Sequence, residues 1–343
     1  MEAVILAGGF GTRLRPLTYT RPKPLLPILN KPMIQRFLET LPKEVGKVII
    51  PLNYLRNMVE DFLKSVDFGK EIICTEEKEP LGTGGAVKNV ENHLSDTFLV
   101  LNVDVISSID LSDFIKFHRA KKGIATISCF VVENPEEFGI MELDKNKRIL
   151  RFQEKPKREE AFSNLINAGA YALEIEILDY IPSRKFVSME REIFPMILDK
   201  GMYGYEFKGY WLDTGRPIDY INAHKILLEE IDKEVGADTK LSKSATLKPH
   251  VLIGNNCKVD GSIQEYSCLG NNVIVSEGTT IKSSIVMGSV KIGKRTVIEQ
   301  SILGEGCVVG NNVTLIDAVV GDNCVINDNI KLLNTRIDPN EER

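Results

Sequence analysis

At 343 residues, 43% apolar and 27% charged, the chain has the composition of an ordinary globular protein and the length for two domains, each with its own core. A net charge of −5 gives no electrostatic footprint for nucleic acid or an anionic membrane, so neither is expected as a partner and any anionic ligand must be captured locally. No apolar run approaches the ~20 residues of a membrane span, and the run before Gly8 is too short for a signal peptide, so a cytoplasmic protein is expected.

The first predicted element is a short buried strand over Ala3–Ala7. It runs into Gly8-Gly9-Phe10-Gly11-Thr12-Arg13-Leu14-Arg15-Pro16-Leu17-Thr18 and then Arg21-Pro22-Lys23-Pro24. Clustered glycines after a strand let backbone N–H groups wrap an anion, because no side chain stands in the way. Two arginines and a lysine close behind supply the positive charge that a triphosphate needs once water is excluded. The loop is not a P-loop, since Gly11 is followed by Thr12-Arg13 rather than Lys-Ser/Thr. Nor is it a dinucleotide fingerprint, because Leu14 stands where a third small residue belongs.

Strands are predicted over Lys47–Leu52, Glu71–Thr75, Thr97–Asn102 and Ile124–Val132, with helices over Met33–Leu41, Leu55–Val66 and Asp113–Lys121 between them. This alternation predicts a Rossmann-like α/β fold, a mostly parallel sheet with helices on both faces and ligands beyond the strands' carboxyl ends. Asp104 follows the fourth strand closely, a suitable place for a carboxylate that holds magnesium. A helix over Tyr220–Val235 and a stop at Gly236–Thr239 divide the chain into residues 1–235 and 236–343.

Beyond that point the pairs Ile253-Gly254, Leu269-Gly270, Met287-Gly288, Leu303-Gly304 and Val320-Gly321 recur, with spacings of 16 and 17 residues among them. Aliphatic residues about every six within that longer period predict a parallel β-helix of three short strands per coil. Its open edges predict a homo-oligomer formed through this domain. Of the six cysteines, none forms a C-x-x-C pair or stands at zinc spacing from a histidine, so they read as small core residues.

The glycine loop with its Lys23-Pro24 resembles the signature of the sugar-1-phosphate nucleotidyltransferases, or sugar-nucleotide pyrophosphorylases, and the tail resembles their left-handed hexapeptide β-helix. Within that family the chain is most similar to mannose-1-phosphate guanylyltransferases, through Arg13–Thr18, Asn30–Pro32, Glu79–Thr83 and Ser188–Pro195. The resemblance implies that Leu6, Ala7, Gly8, Gly9, Gly11, Thr12, Gly82 and Thr83 line a nucleoside triphosphate, and that Arg13 and Lys23 are the catalytic cations. It implies Mg²⁺ as cofactor on Asp104 and on Asp213 of the Trp211-Leu212-Asp213-Thr214-Gly215 segment. It places Gly139, Glu154 and Lys155 of the Glu-Lys-Pro turn, and Asn167 of Asn167–Tyr171, on the sugar phosphate.

Glu77 falls where uridylyl- and thymidylyl-transferring members carry glutamine. One carboxylate can accept guanine N1–H and N2–H₂ together, which points to GTP. The expected reaction joins GTP and mannose-1-phosphate into GDP-mannose with release of pyrophosphate. A uridylyl- or thymidylyltransferase of glucose-1-phosphate is the alternative on the same fold. A regulatory subunit that only senses sugar nucleotide would have lost groups at the reaction centre, yet Arg13, Lys23, Asp104 and Asp213 are all present. An acyltransferase in the coils would need a histidine there, and His250 stands only at their entrance.

Overall fold

The first apolar run forms strand β1 (Glu2–Leu6), whose three central residues are wholly buried. In the computed structural model, which describes residues Met1–Arg343, it lies between two parallel neighbours, β2 (Lys47–Leu52) and β4 (Thr97–Asn102). The strand β3 (Glu71–Glu76) extends this sheet beside β2, again in parallel. Apolar side chains on both faces of β1, β2 and β4 require cover on both sides, which suits a parallel sheet. Helices α1 (Met33–Thr40), α2 (Arg56–Ser65), α3 (Gly82–Asn89) and α4 (Leu111–Lys121) connect the strands. The start of α4 is fixed by Asp110, whose carboxylate accepts hydrogen bonds from Ser112 and Asp113 N–H.

β5 (Ala125–Val131) falls where a strand was expected, but four further strands of this sheet were not read from the sequence. These are β6 (Gly139–Leu143), β7 (Ile149–Glu154), β8 (Leu165–Glu174) and β9 (Met202–Glu206). β6 and β7 form an antiparallel pair, while β8 runs antiparallel to β4, β5 and β6. The main path through the sheet is β7-β6-β8-β4-β1-β2-β3, with β5 and then β9 branching from β8. The pairing of β8 with β5 shifts register between Asn167 and Tyr171, so the strand bulges at Ala168-Gly169-Ala170. Three small buried residues in a row hide the alternation by which a strand is recognised.

Helix α5 spans Pro217–Leu228 and ends earlier than expected. Lys233–Val235 instead pairs in parallel with Val251–Ile253 and becomes the first strand of the coil. The backbone N–H of Gly236 continues this ladder to the Ile253 carbonyl at 2.8 Å, which competes successfully with another helical turn.

The tail is a left-handed parallel β-helix built from three all-parallel sheets of seven, six and six strands. Most successive coils pair with an offset of 17 residues, as in Ile285 with Ile302 and Ile302 with Val319. Ile253, Leu269, Val286, Leu303, Val320 and Ile337 form one buried column. Cys257, Val273, Val290, Cys307 and Cys324 form another, so these three thiols occupy valine positions as packing groups. All six cysteines are free, and burial pushes the Cys307 thiol up to about 12.

Compactness does not follow chain order. One unit joins Met1–Gly9 to Arg36–Leu212, and the other joins Phe10–Gln35 to Asp213–Arg343. The glycine loop therefore divides between units after Gly9. No helix is long and apolar enough to cross a membrane.

Candidate active site

In the first unit the site grows from adjacent strand ends. Leu6 of β1 pairs with Asn102 of β4, and Val103 N–H donates to the Leu6 carbonyl at 3.3 Å. Gly8 and the half-buried Asp104 therefore leave the sheet at the same level, each two residues past its strand. Ala7 is buried and Gly9 exposed.

Glu77 leaves the end of β3 and turns inward, with only 7% of its surface exposed. Its Oε1 accepts the Leu81 N–H at 2.5 Å, tying the carboxylate to its own loop. A Cβ at Gly8 would stand 2.8 Å from Glu77 Oε2, so only glycine leaves room for this oxygen. Burial pushes the Glu77 pKa up, and the Leu81 hydrogen bond opposes that shift. Gly82 and Thr83 begin α3, where Val187 O accepts from Gly84 N–H at 2.9 Å and Gly85 N–H at 3.2 Å.

A second cluster in this unit gathers the expected sugar residues. Glu154, at the end of β7, pairs with Gly139, at the start of β6. A Cβ on Gly139 would come within 2.7 Å of Glu154 Oε2 and 3.5 Å of Asn167 Cβ, so glycine opens the space in which both side chains stand. Asn167 Oδ1 accepts from Gly169 N–H at 3.0 Å inside the β8 bulge, while its Nδ2 donates to the Tyr171 hydroxyl at 2.9 Å. Tyr171 in turn donates to Glu190 Oε1 at 3.0 Å. Lys155 is exposed, with φ +47, and its N–H donates to the Phe138 carbonyl at 3.0 Å. That left-handed backbone is unusual for a lysine and turns the chain sharply after Glu154.

Glu190 is the functional candidate that motif reading missed. It sits in a single π-helical turn, Met189–Ile193, of the kind found often at sites. Its Oε2 accepts from Thr83 Oγ1 at 2.7 Å and Ser188 Oγ at 2.8 Å. One carboxylate thus joins the start of α3, through Thr83, to Tyr171 and Asn167. Its signal in the sequence was the Ser188–Pro195 similarity, which gave no role to any one residue. Burial raises the Glu154 pKa, the Glu190 charge raises it further, and Lys155 and Arg191 oppose the shift.

In the second unit Gly11 has φ +62, and its carbonyl accepts from Leu14 N–H at 2.9 Å and Thr18 Oγ1 at 2.8 Å. This turn carries Thr12 and Arg13, both exposed, while Lys23 is buried. A Cβ at Gly215 would lie 2.7 Å from Arg13 Nη2 and 2.9 Å from Asp213 Oδ1. The structure thus brings Arg13 and Asp213 to the same bare α-carbon within this unit.

The family described as "Nucleotidyl transferase" matches residues 2–230, and the "GMPPB C-terminal domain" matches residues 260–342. The chain belongs to the nucleotidyl transferase family. Over 295 residues it is 38% identical to "Probable mannose-1-phosphate guanylyltransferase 1" of Oryza sativa subsp. japonica, covering 83% of this chain and 79% of that one. Over 297 residues it is 38% identical to "Mannose-1-phosphate guanylyltransferase 1" of Arabidopsis thaliana, with the same 83% and 79% covered. The crystal structure of HddC from Yersinia pseudotuberculosis complexed with GMP-PN aligns with a TM-score of 0.56 at 30% identity, over 65% of this chain and 97% of that one.

In this nucleotidyl transferase the ionised Glu154 costs the free protein stability, since its pKa is raised on folding. That cost is full above the raised pKa, shrinks as pH falls below it, and vanishes below the ordinary carboxylate range, where both states are protonated. Glu154→Gln is therefore expected to raise Tm at about pH 8 by roughly 2–4 °C. Calorimetry should show the two proteins converging as pH falls below about 4, where the carboxyl becomes neutral in both states. A Glu154→Gln protein less stable than wild type at every pH would contradict this.

Proposed function

We propose that the protein is a mannose-1-phosphate guanylyltransferase, converting GTP and mannose-1-phosphate into GDP-mannose and pyrophosphate. The observation that carries the base is Glu77, a buried carboxylate with one oxygen fixed by Leu81 N–H and the other standing over Gly8. Such an acceptor suits the adjacent N1–H and N2–H₂ donors of guanine and repels the carbonyl oxygens of uracil and thymine. Support for mannose comes from the guanylyltransferases of rice and Arabidopsis that the chain resembles.

A non-bridging oxygen of mannose-1-phosphate attacks the α-phosphorus of GTP. The new oxygen–phosphorus bond forms as the bond to the β-phosphate breaks, and pyrophosphate leaves with that bridging oxygen. A phosphate monoester with its second pKa about 6 is largely dianionic at neutral pH, so no side-chain base is needed. The protein's part is placement and neutralisation of charge. Leu6, Ala7, Gly8, Gly9, Gly11 and Thr12 present backbone to the nucleotide, with Gly82 and Thr83 beside the base. Arg13 and Lys23 neutralise the triphosphate and the leaving pyrophosphate. Glu154 and Asn167 accept and donate hydrogen bonds to sugar hydroxyls, Gly139 admits the ring, and Lys155 meets the sugar phosphate. Glu190 holds Thr83 and Tyr171 in place behind them.

Asp104 and Asp213 are hard oxygen donors that fit Mg²⁺, an ion that takes one or two carboxylates and completes its shell with phosphate oxygens and water. Bound there, the ion would offset negative charge on the reacting phosphates.

The test is a matrix of nucleoside triphosphates against mannose-, glucose-, galactose- and N-acetylglucosamine-1-phosphates, read by pyrophosphate release. GTP with mannose-1-phosphate should lead, excess EDTA should abolish turnover, and Glu77→Gln should weaken GTP selectively. UTP or dTTP preferred over GTP by about tenfold would overturn the Glu77 assignment, since a lost base contact is worth roughly that factor.

We also assign a homo-oligomer contact to the β-helix and place the protein in the cytoplasm, where six free thiols persist. The outward Val308 and Val325 are register neighbours, 41% and 37% exposed, and form an apolar step on one face of the coil. Val308→Asp with Val325→Asp should shift the light-scattering mass toward monomer. An unchanged mass would move the contact elsewhere.

A further inference from the structure

The segment that carries Arg13 and Lys23 has little regular structure of its own. Between Phe10 and Gln35 there are two single-turn helices, Thr12–Leu14 and Lys23–Leu25, a two-residue hairpin, Pro27–Ile28 with Lys31–Pro32, and the start of α1. Pro16, Pro22, Pro24, Pro27 and Pro32 remove backbone donors that could have tied it together. Its conformation must therefore be set by what grips it.

The grip comes from the β-helix in the same compact unit. Arg336 Nη1 donates to the Arg15 carbonyl at 3.1 Å, and Asn30 Nδ2 donates to the Leu269 carbonyl at 2.8 Å. Between those two ends, Thr20 Oγ1 donates to Asp322 Oδ2 at 2.7 Å. Arg21 pairs with Glu305 and lies 3.7 Å from Asp322 Oδ2, with its side chain only 17% exposed. Asp322 is itself 7% exposed, and its Oδ1 accepts Glu305 N–H at 2.8 Å across one coil. The ledge is thus fixed by the coil backbone before it meets the loop. A buried carboxylate that accepts from one backbone N–H and one hydroxyl, with an arginine as its ion partner, is a directional anchor.

We infer that Glu305 and Asp322 are positioning residues for the nucleotide loop, so that the β-helix sets how tightly the triphosphate is held. Pro22 separates Arg21 from Lys23 with φ −67, a stiff link that transmits the anchored position of one to the other. Because the ledge absorbs its charge, Arg21 acts as a brace and leaves the phosphates to Arg13 and Lys23. The inference rests on the proposed guanylyltransferase activity only for what the loop binds.

The test uses the full-length protein with Glu305→Gln, Arg21→Lys, Arg21→Gln and, as control, Glu299→Gln. Glu299 pairs with Lys282 at 3.4 Å, an ion pair within the coil. Hydrogen exchange is measured first without nucleotide. Arg21→Gln and Glu305→Gln should each speed exchange across residues 10–26 while coil amides stay protected. Combining them should add little, because both remove one interaction. Arg21→Lys, which keeps charge but loses the fork, should fall between. In the turnover assay KM for GTP should rise about tenfold with a smaller change in kcat, since a small misplacement of charge is costly. Glu299→Gln should match wild type in both. Unchanged loop exchange in Glu305→Gln, or a GTP KM equal to wild type, would overturn the positioning role. A loop that loosens as expected, with no turnover of GTP by the wild type, would overturn the guanylyltransferase reading instead.

Discussion

Parallel pairing of β1 between β2 and β4 is the constraint on which the first unit's site depends. Three apolar residues with no exposed surface hold β1 at the middle of the sheet, and the register of Leu6 with Asn102 fixes where the chain may leave it. Gly8 and Asp104 are delivered together by that register, and Glu77 arrives from the end of β3. Each lies beyond a carboxyl strand end, the edge where open α/β sheets bind ligands. Slipping the β1–β4 register by one residue would turn alternate side chains to the opposite face and separate these groups.

The site is organised around carboxylates that would be costly without ligand. Burial raises the pKa of both Glu77 and Glu154, and Glu190 adds repulsion to Glu154. Such groups are stabilised by donors, and the proposed substrates bring them as guanine N–H groups and sugar hydroxyls. A protein that keeps polar acceptors buried for a partner sacrifices some stability of its free state. The cations follow a different logic. Arg13 is exposed on a turn whose glycine takes a left-handed conformation, ready for an anion.

Much of this could be read from the sequence. β2 and β4 appear within the bounds that apolar runs suggest, and the aliphatic–glycine pairs gave the coil period because stacking repeats itself every turn. The strands β6 to β9 were harder. β8 passes through Ala168-Gly169-Ala170, where small residues carry no periodic signal, and its bulge is visible only once β5 is beside it. The end of α5 failed for a related reason, since Lys233–Val235 is a strand only because Val251–Ile253 pairs with it. Glu190 and the Glu305–Asp322 ledge depend on contacts across more than a hundred residues of chain, which no local motif reports.

The central claim is that a non-bridging phosphate oxygen of the sugar, and not an oxygen of GTP, makes the new bond to the α-phosphorus. Mannose-1-phosphate labelled with heavy oxygen in its non-bridging positions, turned over with unlabelled GTP and followed by phosphorus NMR, tests it at the bond itself. The account predicts label in the bridge between the two phosphorus atoms of GDP-mannose and none in the pyrophosphate. An unlabelled bridge, or label released with pyrophosphate, would contradict it.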